Sequence, residues 1–499
     1  MMEAARSEIT IGLVAAYMVF CVVVGIWAMR RTRNSSDFFV AGRHLGPLVV
    51  ALAVFSSTLS GFGFVGGPGL VYSSGMSSMW MVIVSSFGYA IGFFLIAKRI
   101  RMIAGVRNSL SLPDVIVARY DSQWVGGLTA VTILLGVMGY LATQILAMAL
   151  VLQSILSATE MFADISLVTC VVWSLGVLIF YSATGGIVAS VYTDVVQGSI
   201  MALAGLLILL TASNVFDGGL PQAVNTILAD DGEAAMPFGT LGVVTALGWA
   251  FVFGVGLAGQ PHLITKMMMN RNISDNRIIF PVCLIGYVLA ALLWFSVGVA
   301  MRAAAIDGEI LPLTASDAAA PVFLAIFAHP VLAGIVFAAL FAAIMSTSDG
   351  FLNIGTAALI HDLPKAIRGR SIERELFWAR VVTVAITLVA AAFALYSYYG
   401  NDRLVALLGA FGWGTFAAAL VPVAVFGLNW KRATAPAAIV AIVVSLLINF
   451  GIEIFSIQLP FGVSGPYLAI IVSLALFMLV SFMSKQPKLA KDIERILEL

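Results

Sequence analysis

Apolar residues along this 499-residue chain run on about twenty at a time instead of alternating with polar ones. That is the length a helix needs to cross the hydrocarbon core of a bilayer. Thirteen such stretches follow one another: roughly 9–29, 45–72, 78–97, 124–157, 165–182, 187–213, 240–264, 277–303, 330–360, 375–397, 402–428, 434–455 and 466–484. No dyad alternation of the barrel kind occurs, so the pattern predicts helices. The first stretch is too long, and lacks the small-residue exit, to be a cleaved signal peptide.

Two stretches, 124–157 and 330–360, are long enough to be divided. The charges between stretches argue against it. With each counted once, one side of the membrane receives all the basic residues except Arg6, Arg302 and Arg403, out of 26 in the chain. Dividing either stretch would destroy this asymmetry. The positive-inside rule then predicts an outside amino terminus and a cytoplasmic carboxyl terminus, in an inner or plasma membrane. The longest loops, 98–123 and 214–239, have room for a short helix or a lid but no soluble domain. The charged tail after Phe482 reads as solvated, and Lys266 as a plain charge at the inner face.

Composition sharpens the class. The chain is 61% hydrophobic and 10% charged, against roughly 25% charged in an ordinary soluble domain. That excludes a soluble enzyme, a nucleic-acid binder or a disordered chain as a reading of the whole. The net charge of +1 offers no bulk attraction to nucleic acid. Cys21, Cys170 and Cys283 lie in apolar runs and read as small buried hydrophobes. His44, His262, His329 and His361 lie at different span ends, so no nucleophile–base pair or metal cluster is visible. No cofactor and no obligatory protein partner are expected.

The chemistry is expected where helices break. The second stretch contains Ser56, Ser57, Thr58, Ser60, Gly61, Gly63, Gly66, Gly67, Pro68 and Gly69, a poor continuous helix. Five stretches later, the seventh contains Gly254, Gly256 and Gly259, then Gln260-Pro261-His262. Paired interruptions at matching places are the mark of transporters built from inverted repeats, whose binding sites form at the broken helices. An offset of five places the repeats at stretches two to six and seven to eleven.

The ninth stretch carries a polar face. Ala343, Ser346 and Thr347 fall at i, i+3 and i+4. Ser346, Asp349 and Asn353 run down an adjacent strip. An intramembrane aspartate is costly and points to function. Hydroxyl and carbonyl oxygens suit a small hard cation, although the hydroxyls could instead bond back to the preceding turn.

These residues resemble the sodium:solute symporter family, which shares the inverted-repeat fold of LeuT. The resemblance rests on Leu59-Ser60-Gly61-Phe62 running to Gly66-Gly67-Pro68-Gly69. It rests also on Gly185-Gly186-Ile187 followed by Tyr192-Thr193-Asp194 and Gln197, and on Gly259-Gln260-Pro261-His262 paired with Ala343-Ile344-Met345-Ser346-Thr347. It implies an all-α integral membrane protein of 13 transmembrane helices in a single transporter domain. One helix (9–29) precedes a five-helix repeat (45–213) and its inverted copy (240–428), and two helices (434–484) follow. It implies a sodium site formed by the carbonyls of Ser56, Leu59 and Ala343 and the hydroxyls of Ser346 and Thr347. Asp194 matters for sodium coupling in the family and joins a second sodium site in some members. The other positions of that site are here Asp349, which could replace a hydroxyl, and Gly350, which supplies no side chain. A helix N-cap is the alternative role for Asp194.

Family members that carry proline have an aspartate at Thr58, tryptophans at Phe62 and Phe253 and a tyrosine at Leu257, so the resemblance does not favour proline here. Phe62, Tyr140, Phe253 and Trp413 are candidate walls of a largely apolar pocket, with Gln144 as a polar contact. Such a pocket suits a small organic carboxylate or an apolar amino acid. The expected function is secondary symport by alternating access: inward sodium flow drives solute uptake, with sodium, a small solute and the lipid bilayer as the only partners. A proton-coupled carrier on the same fold, with Asp349 or Asp194 as the proton group, and a non-transporting solute sensor are the alternatives.

Overall fold

The computed structural model describes residues 2–157, 159–401 and 405–499; the side chains of residues 2–7, Phe62, Glu160, Asn401 and 405–408 lie outside that description. The described residues are mostly helical, with no strand among them beyond one isolated bridge between Leu45 and Asn270. Eleven helices among the described residues are long and apolar enough to cross a membrane. Arg6 and Arg403, two of the three basic residues assigned to the outer side, fall outside the described side chains.

The difference between eleven helices and thirteen stretches lies in two long elements. Leu167–Ser213 counts as one helix of 47 residues, about 70 Å at 1.5 Å per residue, against a hydrocarbon core of about 30 Å. It is bent at Gly186, whose φ of 54° and ψ of −148° are not helical. A Cβ at Gly186 would stand 2.5 Å from the Phe38 ring, so the bend needs glycine for both backbone and space. The other element, Gly63–Arg107, spans 45 residues. It is interrupted at Gly75, where φ is +66° and an added Cβ would strike the Ala234 carbonyl.

The two stretches that could have been divided are single helices, Gln123–Leu156 and Pro330–Ala357. They form the centre of the bundle together with the helix beginning at Val405; Pro330–Ala357 is buried over nearly its whole length. The helices Ala435–Ile454 and Gly465–Met483 pack on each other at the periphery and leave large apolar side chains such as Leu447 and Leu479 exposed. Side-chain caps from Ser111, Ser122, Ser166, Thr434 and Ser464 start helices where the polar segments end.

Two loop readings change. The tail is not simply solvated: Lys491–Leu497 is a helix that buries Ile493, Ile496 and Leu497. It packs on the Lys98–Arg107 helix, and Asp492 pairs with Arg107 at 2.7 Å. The 98–123 segment carries two helices, Lys98–Arg107 and Leu112–Tyr120.

Candidate functional site

Two helices stop inside the bundle. Pro47–Thr58 ends at Leu59, which is extended (φ −92°, ψ 116°), and the chain resumes as a wide turn over Phe62–Gly66 and a helix from Gly67 to Ser74. Gly242–Leu257 ends at Ala258–Gly259, Gln260 is extended (φ −74°, ψ 112°), and Pro261–Met267 is a new short helix. Pro261 sits in its first turn, where its missing N–H costs no hydrogen bond.

The first break meets the Pro330–Ala357 helix. Ser346 Oγ donates to Ser56 O at 2.9 Å and to Ala343 O at 3.1 Å. Thr347 Oγ1 donates to Ser57 O at 3.2 Å and reaches Leu59 O at 3.5 Å. Ser57 Oγ donates back to Ser346 O at 3.1 Å. All five residues of the expected cation shell are buried, and the bonds between them join two helices. The alternative role of the Ser346 hydroxyl, bonding back to its own turn, coexists with the cross-helix bond. These oxygens fit a hard cation in type: three carbonyls and two hydroxyls carry no full charge, and hydroxyl protons that now point at carbonyls can rotate away when a cation takes their place.

Beside this junction lies an ion pair. Asp194 Oδ2 is 2.6 Å from Lys266 Nζ, with side-chain exposures of 0% and 1%. Asp194 Oδ1 accepts from Ser56 Oγ at 2.9 Å. Lys266 Nζ also donates to Ser57 Oγ at 2.5 Å and to Ala53 O at 3.2 Å. The inner-face reading of Lys266 is therefore overturned. The second break turns the Pro261–Met267 helix inward, and its His262 and Lys266, one turn apart, both reach the first broken helix; His262 Nε2 donates to Ser57 O at 3.2 Å. Nor is Asp194 an N-cap: it lies inside Leu167–Ser213, beyond the bend. Ser57, His262 and Lys266 were not singled out as site residues, although the i, i+4 spacing of the last two on a helix after Gln-Pro was a usable signal.

Asp349 has other partners. Ser182 Oγ donates to its Oδ1, and its Oδ2 has no hydrogen-bond partner. It borders a small space shared with Phe38, Gly186, Asn353 and Thr383. The two aspartates thus occupy separate settings.

Of the pocket candidates, Phe253 and Trp413 stack at 5.4 Å between centroids, and Tyr140 lies 6.3 Å from Trp413 and 4.6 Å from Phe351. Tyr140 OH and Ser60 Oγ are 3.0 Å apart. Gln144 Oε1 accepts from Gly61 N at 2.8 Å, while its Nε2 has no partner. The Phe62 side chain lies outside the described residues. Phe253 and Trp413 border a cavity of about 20 Å³ together with Thr58, Leu59, Tyr287 and Trp294. That is room for about one water and not for a solute.

This architecture is that of a membrane carrier. Over 97% of its length the chain superposes on 99% of a substrate-bound, outward-open sodium-coupled sialic acid symporter, with a TM-score of 0.79 at 20% identity. A closed nucleobase-cation-symport-1 transporter, Mhp1, matches 93% of the chain with a TM-score of 0.56 at 14% identity. Residues 38–445 match the model of the sodium:solute symporter family, and the chain belongs to that family. It is 30% identical to the sodium/proline symporter of Escherichia coli, over 86% of this chain and 85% of that protein. It is 27% identical to the high-affinity proline transporter PutP of Bacillus subtilis, over 90% and 94%. The chain is thus an integral membrane protein that couples sodium to the uptake of a small solute.

Proposed function

We propose that sodium binds between the first break and the Pro330–Ala357 helix, on the carbonyls of Ser56, Leu59 and Ala343 and the hydroxyls of Ser346 and Thr347. The observation that carries this reading is the junction itself. Two hydroxyls from one helix converge on the carbonyls freed where another stops. Sodium would replace those hydrogen bonds, order the break and favour the form open to the outside. Solute would then bind beside it, and rocking of the two repeats would open both to the cytoplasm. Two helices follow the repeats and one precedes them, with Gly63–Arg107 and Leu167–Ser213 each serving as more than one membrane passage; this gives thirteen crossings. The side carrying most of the basic residues faces the cytoplasm.

The ammonium of Lys266 supplies a fixed positive charge beside Asp194, the position at which some family members hold a second sodium. This supports coupling to a single sodium ion, with Asp194 tuning the site through Ser56. Asp349 stands apart from this junction, with the Ser182 hydroxyl as its partner.

For the substrate we infer a small amino acid or organic carboxylate. The curated relatives are named for proline, but Thr58, Phe62, Phe253 and Leu257 replace the residues by which proline carriers are marked. Phe253, Trp413 and Tyr140 offer apolar walls, and Gln144 Nε2 is a donor for a carboxylate.

The test is uptake into proteoliposomes, with a panel of labelled amino acids and carboxylates and with the sodium gradient imposed or collapsed. Ser346→Ala and Thr347→Ala should each raise the sodium concentration for half-maximal uptake on the order of tenfold or more, as loss of about 1.4 kcal/mol of binding would. Substrate recognition at saturating sodium should change less. Wild-type sodium dependence in both variants would sink the assignment, and uptake that followed pH and ignored sodium would point to proton coupling.

A further inference from the structure

A second site lies away from the broken helices, at the end of the bundle where Lys98–Arg107 and Leu112–Tyr120 meet the tail. A cavity of about 400 Å³ opens there, lined among others by Arg107, Ser109, Arg119, Lys365 and Lys488. That volume is in the range of small-molecule sites.

Arg119 is the notable member. It is 2% exposed, and all its hydrogen-bond partners are carbonyl oxygens: Gly427 O at 2.7 Å from Nε, and Trp430 O and Ala433 O at 2.9 and 3.3 Å from Nη2. Its Nη1 has no partner. Carbonyls satisfy donors but do not neutralise a charge, and a buried guanidinium without a counter-ion is costly. Ser109 supplies a second, independent sign: it is 2% exposed and its Oγ is also without a partner. Two carboxylates line the same cavity, but neither answers Arg119. Asp114 is taken up by His361 at 2.9 Å, Lys365 at 3.1 Å and Leu110 N at 2.9 Å. Asp121 is exposed. The nearby grouping of Asp114, His361 and Asp362, which could suggest a metal, already has an ammonium in it, because Lys365 Nζ contacts both Asp114 and His361.

We propose that this cavity binds a phosphate-class oxyanion, with Lys488 closing over it from the tail and with Arg119 and Ser109, whose unpartnered Nη1 and Oγ are sealed from solvent behind the cavity wall, turning to the ligand as donors. A guanidinium, a hydroxyl and an ammonium are the donor set for a phosphate group. The cavity has room for the small organic body of a phosphate ester. Because Lys488 belongs to the tail and Arg119 to the bundle, the ligand would tie one to the other. On the orientation proposed above, the site faces the cytoplasm.

The experiment is thermal unfolding of the purified full-length protein in neutral detergent. It is titrated with sodium phosphate and with glycerol phosphate, against sodium chloride of equal ionic strength. A parallel arm compares nanodiscs of neutral lipid with nanodiscs containing phosphatidic acid. The expected result is a saturable rise in the unfolding midpoint, with affinity weaker on the order of tenfold in Lys488→Gln and in Ser109→Ala, as loss of one contact to a charged ligand implies. Arg119→Lys should abolish the response; should that variant fail to fold, the other two still decide. A rise with the soluble phosphates assigns a soluble ligand, and a rise only with phosphatidic acid assigns a lipid headgroup. No rise in either arm, or equal rises in wild type and variants, would overturn the proposal.

Discussion

The two helix breaks look alike in sequence but are held in different ways. The second is held mainly by its own backbone: Ala258, Gly259 and Gln260 donate their N–H groups to Val255, Gly256 and Leu257 at 3.0–3.3 Å, and Gln260 Nε2 adds bonds to Gly256 O at 2.9 Å and to Trp413 O at 3.2 Å. The first is held from outside. Its carbonyls at Ser56, Ser57 and Leu59 are met by Ser346, Thr347 and His262, and the Gly61 N–H by Gln144. Only the first break therefore offers carbonyls that a cation could win from side chains on other helices. The second acts as a fixed corner that carries His262 and Lys266 to the first.

That contrast can be broken by mutation. The largest effect should come from Lys266→Met, which leaves Asp194 buried without its cation; removing one partner of a buried pair costs about 3–5 kcal/mol. The unfolding midpoint should fall sharply and recover in large part in the double variant with Asp194→Asn. Failure to recover would mean that Lys266 does more than neutralise Asp194. Next comes Gln144→Leu, which strands the Gly61 N–H at the first break and should cost about 1–3 kcal/mol. Gln260→Ala should be the mildest, about 0.5–1.5 kcal/mol, because the backbone turns of the second break remain. A Gln260→Ala variant less stable than Gln144→Leu would remove the distinction between the two breaks.

Much of this was legible in the residues. Runs of apolar positions give the helices, and the clusters at 56–69 and 254–262 mark both interruptions. The i, i+3, i+4 pattern of Ala343, Ser346 and Thr347 marks the face that meets the first. What was not legible is depth. Lys266 follows the Gln-Pro break, and a pattern reading counts it as the start of a loop; only the inward turn of the Pro261–Met267 helix shows that it reaches Asp194. The tail was misread for a related reason. Charged residues dominate 485–499, yet Ile493, Ile496 and Leu497 stand at i, i+3 and i+4, enough to seat a short helix. The bend at Gly186 falls in the gap between the stretches 165–182 and 187–213 and at a Gly-Gly pair; its left-handed backbone leaves no further trace in sequence.

Three hydrogen bonds pin the first break to the Pro330–Ala357 helix: Ser346 Oγ to Ser56 O, Thr347 Oγ1 to Ser57 O, and Ser57 Oγ to Ser346 O. At a net worth of about 1 kcal/mol each, the contact is a latch of about 3 kcal/mol. One elementary charge crossing a membrane polarised by 100 mV releases about 2.3 kcal/mol. The latch and the battery are of the same order, so the electrical work of one ion would cover most of the cost of opening such a junction, and a much stronger contact would exceed it.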